Sequence, residues 1–110
     1  MIQINTRILK ILENYNEYLH IFGNLNPNTS RKSLQGFLDE TINKPLKIED
    51  IQVHESLGSF STDYVLIFKE SVFYFSEETE KEAESKVKNI LSLEGINVKK
   101  VDFKNEKLIP

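Results

Sequence analysis

The sequence contains no cysteine among its 110 residues. Without thiols the chain cannot form disulfides, thiolate zinc sites, iron–sulfur clusters or a cysteine nucleophile. Glycine is also scarce, and the four glycines stand far apart in the chain, at Gly23, Gly36, Gly58 and Gly95. Loops that cradle the phosphates of a nucleotide need clustered glycines, because backbone N–H groups must approach the ligand closely. We therefore expect neither a thiol-based site nor a nucleotide site, and no cofactor.

Long apolar runs are missing as well. The longest is Tyr64-Val65-Leu66-Ile67-Phe68, whereas a membrane helix needs about 20 apolar residues. The first residues, Met1 to Arg7, lack the charged head, apolar stretch and cleavage site of a signal peptide. We expect a protein that is not secreted by that route, is not inserted in a membrane, and is located in the cytoplasm.

The composition is that of a folded domain. Hydrophobic residues make up 39% of the chain and charged residues 28%, and the formal net charge is only −3. Chains that stay disordered have fewer apolar residues and a higher net charge. No repeat, low-complexity tract or flexible linker divides the sequence. Residues 1–110 are therefore predicted to form a single domain.

Three segments have apolar residues at helical spacing. In the first, apolar residues recur at steps of three and four, and Gly23 provides a typical helix end. In the third, a stripe of four apolar residues is followed by Gly95. The predicted helices run from Thr6 to Phe22, from a cap at Thr29 or Ser30 to about Ile42, and from Glu77 to Leu93 behind a cap at Ser76.

Four further segments have the pattern of β-strands: Leu46 to Val53, Asp63 to Lys69, Ser71 to Phe75 and Ile96 to Phe103. The second and third are apolar on both faces, which is typical of central strands in a covered sheet. The first and fourth shift the phase of their alternation, which predicts a bulge or a short break at Asp50 in the first. The order ααβββαβ predicts an α+β fold with a mostly antiparallel, mixed four-stranded sheet, covered by three helices. Its last strand is expected to join through a right-handed β–α–β crossover.

Signals for catalysis and metal binding are weak. His20 has Asn16 and Asn24 at helical spacing, which are poor metal ligands, and His54 stands beside Glu55. We therefore predict no catalytic residue and no metal site. If the chain were an enzyme, the best candidates for its catalytic residues would be His54, Glu55 and Asp63.

Binding to phosphates or nucleic acids has little more support. Thr29 to Ser33 combines hydroxyls and two cations at a predicted helix start and could hold an anion, although a simple capped helix explains it equally. Lysine and arginine number 14 against 17 acidic residues, so a nucleic-acid partner is not expected. The lysines near the C-terminus, Lys99, Lys100, Lys104 and Lys107, are best explained as protection of an exposed strand edge.

Negative charge is concentrated in the centre of the sequence. Between residues 70 and 84, six glutamates face one lysine, a local net charge of −5. If the end of the first strand lies near the start of the third helix, this surface becomes continuous. The alternative is a solvated helix face, stabilised by Glu-to-Lys pairs at i,i+4 and by the helix dipole. The predicted acidic binding residues are Glu49, Asp50, Glu55, Glu70, Glu77, Glu78, Glu80 and Glu84.

A polar segment from His54 to Thr62 carries two large apolar residues, Leu57 and Phe60. Apolar side chains on a loop either fold back over the core or anchor a partner. Both interpretations stay open at the level of sequence, and we add Leu57 and Phe60 to the candidate partner-binding residues.

The sequence thus predicts a small non-enzymatic protein-binding domain. The leading hypothesis is an inhibitor or immunity-type protein that neutralises a basic partner, such as a nuclease toxin, through its acidic surface. The alternative is a chaperone or regulatory subunit that binds an apolar partner surface. We expect another protein as the partner and neither nucleic acid nor membrane, while the oligomeric state is left open.

Overall fold

The computed structural model describes residues 6–23, 25, 31–41, 45–57, 60–69 and 71–110. It confirms an α+β fold. Its helices are α1 (Thr6–Phe22), α2 (Leu34–Thr41) and α3 (Glu80–Leu93), with a short 3-10 turn at Ile48–Asp50. Its strands are β1 (Gln52–Leu57), β2 (Thr62–Phe68), β3 (Ser71–Glu77), β4 (Lys100–Asp102) and β5 (Lys107–Ile109).

The central sheet has three antiparallel strands in the order β1-β2-β3. The register aligns Val53 of β1 with Leu66 of β2, and Leu66 with Phe73 of β3. All side chains from Tyr64 to Phe68 are buried, so β2 is a central strand, as its apolar pattern predicted. The same prediction for β3 is wrong, because within the described residues β3 pairs only with β2.

Each face of the sheet has its own core. On one face, Val65 and Ile67 pack against Ile11 and Tyr18 of α1 and against Phe37 of α2. On the other face, Tyr64, Leu66 and Phe68 pack against α3 and the β4–β5 hairpin, through Ala83, Val87, Leu91, Val101, Phe103 and Leu108. Side chains alternate between the faces of a strand, which is why one strand contributes to both cores.

The predicted four-stranded sheet is wrong. Strand β4 pairs with β5 in a separate two-stranded sheet, so the described strands make no β–α–β crossover into the central sheet. The physical reason is a tight turn after β4, where Asn105 donates hydrogen bonds to both carboxylate oxygens of Asp102. The chain reverses there and pairs with itself. Only Lys100–Asp102 of the predicted strand from Ile96 to Phe103 is extended.

The predicted first strand is also displaced. The phase slip at Asp50 corresponds to the 3-10 turn Ile48–Asp50, and β1 begins only at Gln52. As a result, the segment from His54 to Leu57 is part of β1, not of a flexible loop. Strand β1 therefore carries Glu55 and Leu57 to the end of the sheet where β2 begins.

The starts of two helices differ from the prediction. Helix α3 begins at Glu80 instead of Glu77, because Glu77 still pairs with Thr62 in the sheet. Its cap is Thr79, whose hydroxyl accepts a hydrogen bond from the Glu82 N–H at 3.2 Å. Helix α2 begins at Leu34, where Ser33 accepts the Gly36 N–H at 3.1 Å.

The predicted caps of the second helix, Thr29 and Ser30, lie outside the described residues, as does its predicted end at Ile42. No helix in the described ranges is long and apolar enough to span a membrane.

The two candidate caps of α3 can be compared by mutation. We expect Thr79→Ala to lower the free energy of unfolding by about 1 kcal/mol, because it removes the cap hydrogen bond. Ser76→Ala breaks an exposed hydrogen bond to Asp63 and should cost less than about 0.5 kcal/mol. Urea denaturation measures both, and equal costs would contradict the assignment of Thr79 as the cap.

Candidate functional site

Carboxylates from four elements meet at one end of the sheet. Strands β1 and β3 both run towards this end, and α3 starts there. The register places Leu57, Thr62 and Glu77 in one row across the sheet. Two rows further into the sheet, Glu55 faces Tyr64. We define the acidic end as Glu55 of β1, Glu77 of β3, Glu80 of α3 and Asp102 of β4.

Glu55 is at the centre of the acidic end. Burial is the largest cause that raises the pKa of its carboxyl group above the ordinary value, and the charges of Glu80 and Asp102 raise it further. Both effects disfavour the ionised form. Glu80 of α3 and Asp102 of β4 therefore lie near enough to Glu55 to raise its pKa, although the described carboxylates are not close enough together to hold a metal ion. The sequence places these residues up to 47 positions apart, between Glu55 and Asp102.

The phenol of Tyr64 forms the floor of the acidic end. Its pKa is raised mainly by burial, and then by the negative charges of the nearby glutamates, Glu55, Glu80 and Glu77. The Tyr64 ring packs against the ring of Phe103 at 4.7 Å between centroids and stacks on Phe75 at 5.7 Å. The carboxylates therefore surround a rigid aromatic cluster that belongs to the core.

Asp102 keeps its charge in this environment. The side-chain amide of Asn105 donates to Oδ2 at 2.8 Å, and the backbone N–H of Asn105 donates to Oδ1 at 3.2 Å. These hydrogen bonds lower the pKa of Asp102, because they stabilise the ionised form. The acidic end thus contains a fixed negative charge next to Glu55. Asp102 is not among the acidic residues predicted from sequence, since its position depends on the β4–β5 turn.

Two large apolar side chains flank the acidic end. Leu57 is 82% exposed at the end of β1, and Phe60 is 99% exposed in the connection to β2. Neither side chain folds back over the core, which leaves the interpretation as partner anchors. A cleft of about 400 Å³ lies beside Leu57, between β1 and the β4–β5 turn, and Glu55 and Glu106 both line it.

Other predicted acidic residues have different positions. Glu49 and Asp50 precede β1 and lie at the end of that strand away from Leu57. Glu84 accepts the Val101 N–H at 2.9 Å and lies 3.6 Å from Lys88, so it joins α3 to β4. Glu78 is exposed just before α3, and Glu70 lies outside the described residues.

The ion pairs of α3 were predicted in part. The Glu84–Lys88 pair at i,i+4 is present. Glu77 is on β3 and cannot form a helical pair with Lys81. Instead, Lys86 Nζ lies 3.7 Å from Glu77 Oε1 and 4.9 Å from the centre of the Phe75 ring. Lys86 thus forms an ion pair with Glu77, and the charge of Lys100 acts on Asp102, another member of the acidic end.

His54 is buried in the core, with 2% of its surface exposed. Its Nε2 lies 3.2 Å from Gln52 Oε1, and its Nδ1 lies 3.4 Å from Glu106 Oε1. The ring of Phe22 packs edge-on against it at 5.4 Å. Burial lowers the pKa of His54 more than the nearby carboxylate of Glu106 raises it, and Lys32 lowers it slightly. The neutral imidazole therefore contacts Glu106 of the β4–β5 turn through Nδ1 without a hydrogen bond of normal geometry.

The catalytic, metal-binding and anion-binding alternatives have little support in the geometry. Asp63 accepts a hydrogen bond from Ser76 at 2.5 Å, whereas His54 is enclosed by the core. Among the described residues, no group of three or more acidic or histidine side chains is arranged to hold a metal. At the predicted anion site, Lys32 Nζ donates to the Asp50 carbonyl at 3.0 Å and Ser33 caps α2. Thr29 and Ser30 lie outside the described residues.

Comparison with protein families, with curated proteins and with solved structures finds no match to this chain. The function must therefore be inferred from the geometry and charge of the site.

The burial of His54 predicts a pH dependence of stability. Its pKa is lowered from 6.5 on folding, so at mildly acidic pH the unfolded chain binds a proton that the folded chain does not. Stability should be complete above pH 6.5 and should fall as the pH falls below that value. In His54→Gln this decrease below pH 6.5 should become smaller. Urea denaturation between pH 5 and 8 tests this, and equal slopes for the variant and the wild type would contradict it.

Proposed function

We propose that this chain is a non-enzymatic protein-binding domain whose acidic end docks on a basic protein partner. The observation that carries the proposal is the meeting of carboxylates from separate elements around Glu55, next to the exposed Leu57 and Phe60. Charged groups around apolar anchors are typical of protein–protein interfaces. In this proposal the charges attract and orient the partner, and the two apolar side chains hold it.

The electrostatic cost of the acidic end supports this proposal. Repulsion among Glu55, Glu80 and Asp102 opposes the ionised form of Glu55 and thus opposes folding at neutral pH. A lysine or arginine of a partner placed beside these carboxylates would remove the repulsion and favour the ionised form. Binding would therefore relieve an electrostatic repulsion that destabilises the free chain.

An inhibitor or immunity-type role is the most specific form of the proposal. Enzymes that cut nucleic acids need basic surfaces, because their substrates are polyanions. An acidic protein that covers such a surface competes with the substrate and is attracted by the same charges. A nuclease toxin is accordingly the class of partner that we propose.

A second candidate is a chaperone or regulatory subunit that binds an apolar surface. It is favoured by one observation, the nearly complete exposure of Phe60 and Leu57. In that case the apolar pair would supply the binding energy, and the carboxylates would only keep the surface soluble. The two candidates therefore differ in how binding responds to charge.

Affinity capture of the full chain from its native cell, followed by mass spectrometry, is the first test. We expect a basic protein in stoichiometric amount that dissociates as salt is raised, since exposed charge interactions are screened. Recovery of no stoichiometric partner would contradict the proposal. A partner that is retained more strongly at high salt would favour the apolar candidate.

Variants then locate the binding surface on the captured partner. Charge reversal by Glu55→Lys with Glu80→Lys should weaken binding by about tenfold or more, mainly through slower association. Glu94→Lys is the matched control for the single variant Glu80→Lys, because it makes the same charge change at the other end of α3, and should have little effect. Phe60→Ala should mainly speed dissociation, because it removes a buried anchor. Surface plasmon resonance separates these rates.

The pattern of losses distinguishes the candidates. If Leu57→Asp and Phe60→Asp abolish binding while the double charge reversal does not, the apolar candidate replaces the acidic one. If Glu94→Lys weakens binding as much as the double reversal, the acidic end is not the interface.

A further inference from the structure

Strand β3 forms an open edge of the central sheet. A connection of two residues joins Phe68 of β2 to Ser71 of β3, and these two residues face each other in the register. In such a hairpin the closing pair shares backbone hydrogen bonds, and every second pair after it does the same. The backbone N–H and C=O groups of the intervening residues, Val72, Tyr74 and Ser76, therefore point away from β2.

These outward groups have no partner within the described ranges of the chain, where β3 is hydrogen-bonded to β2 alone. The other side of the sheet is different. Strand β5 lies beside β1, and the β4–β5 hairpin carries Lys99, Lys100 and Lys107. Lysines along an edge discourage the pairing of further strands. The β1 side of the central sheet is thus covered by the β4–β5 hairpin and protected by its lysines.

Helix α1 contacts β3 on one face of the sheet, but β3 has no protective charge along its edge. Its sequence, Ser71-Val72-Phe73-Tyr74-Phe75-Ser76-Glu77, contains no lysine and no proline, and its only charge is the final residue. The register with β2 is continuous over all seven residues, so no bulge interrupts the edge. Tyr74 is 53% exposed on it. A long, regular, apolar edge is a template for another strand.

The sequence of β3 is complementary to itself. In an antiparallel pair centred on Tyr74, the three residues with open backbone groups meet only one another: Tyr74 faces Tyr74 of the second copy, and Val72 faces Ser76. All of their outward N–H and C=O groups are then satisfied. Phe73 faces Phe75, which is a favourable cross-strand pair, and Glu77 faces the uncharged Ser71.

We propose that β3 pairs antiparallel with β3 of a second copy of this chain, which joins two central sheets across a two-fold axis at Tyr74. The pairing does not depend on the proposed function. It leaves the acidic ends of the two copies at opposite ends of the joined sheet. A dimer of this kind would therefore present two separate acidic surfaces.

Sedimentation equilibrium of the full chain tests the pairing, over concentrations from about 1 μM to about 500 μM. We expect a monomer–dimer equilibrium in the wild type. Tyr74→Pro should abolish the dimer, and proline is tolerated there because the Tyr74 N–H makes no bond to β2. Tyr74→Lys should raise the dissociation constant by about tenfold, because it places like charges opposite each other on the axis.

Leu93→Lys is the matched control, since Leu93 is 88% exposed on α3 and distant from the edge in sequence and element. Its dissociation constant should equal that of the wild type. Circular dichroism checks that each variant folds, and if Tyr74→Pro does not fold, Tyr74→Lys decides the question. Amide exchange at Val72, Tyr74 and Ser76 should also slow as the dimer forms.

Two results would overturn the proposal. One is a wild-type chain that stays monomeric over the whole concentration range. The other is a dimer whose dissociation constant is unchanged by Tyr74→Lys, which would locate the contact elsewhere on the surface. Either result would leave the partner-binding role of the acidic end unaffected, because that role rests on Glu55, Leu57 and Phe60, which take no part in the pairing.

Discussion

The burial of β2 on both faces is the constraint on which the rest of the structure depends. Five consecutive side chains from Tyr64 to Phe68 are buried, so each face of this strand needs an apolar cover. Helices α1 and α2 cover the face with Val65 and Ile67. Helix α3 and the β4–β5 hairpin cover the face with Leu66. Exposing either face would leave apolar side chains in water at a cost of about 25 cal/mol per Å².

This arrangement also determines where the charges collect. Strand β3 ends beside the start of β2, so α3 must begin at that end before it crosses the sheet. The negative first turn of α3 is thereby placed next to Glu55 of β1, and the hairpin that completes the cover adds Asp102. Acidic residues at a helix start are favoured by the helix dipole. The repulsion at Glu55, in contrast, opposes folding at neutral pH, which is why we connect it with binding.

The sequence predicted what depends on local pattern and missed what depends on distant contacts. The bounds of α1 followed from its helical periodicity and Gly23, and the central position of β2 followed from its continuous apolar run. The start of α3 was predicted incorrectly, because Glu77 pairs with Thr62 in the sheet and is not part of the helix. Likewise, the last strand could not be assigned correctly, since a turn stabilised by Asp102 and Asn105 decides its partner. Glu55, Glu77 and Glu80 were among the predicted acidic residues, whereas the proximity of Asp102 to them follows only from the three-dimensional structure.

The proposed function rests on the repulsion between Glu55 and carboxylates from separate elements. The most direct measurement is the pKa of the Glu55 carboxyl group, followed by carbon-detected NMR titration in the wild type and in Glu80→Gln. We expect a pKa above the ordinary value of 4.5 in the wild type. In Glu80→Gln the pKa of Glu55 should be lower, because one of the repelling charges is gone. A pKa at or below 4.5 in the wild type, or one that Glu80→Gln leaves unchanged, would contradict it.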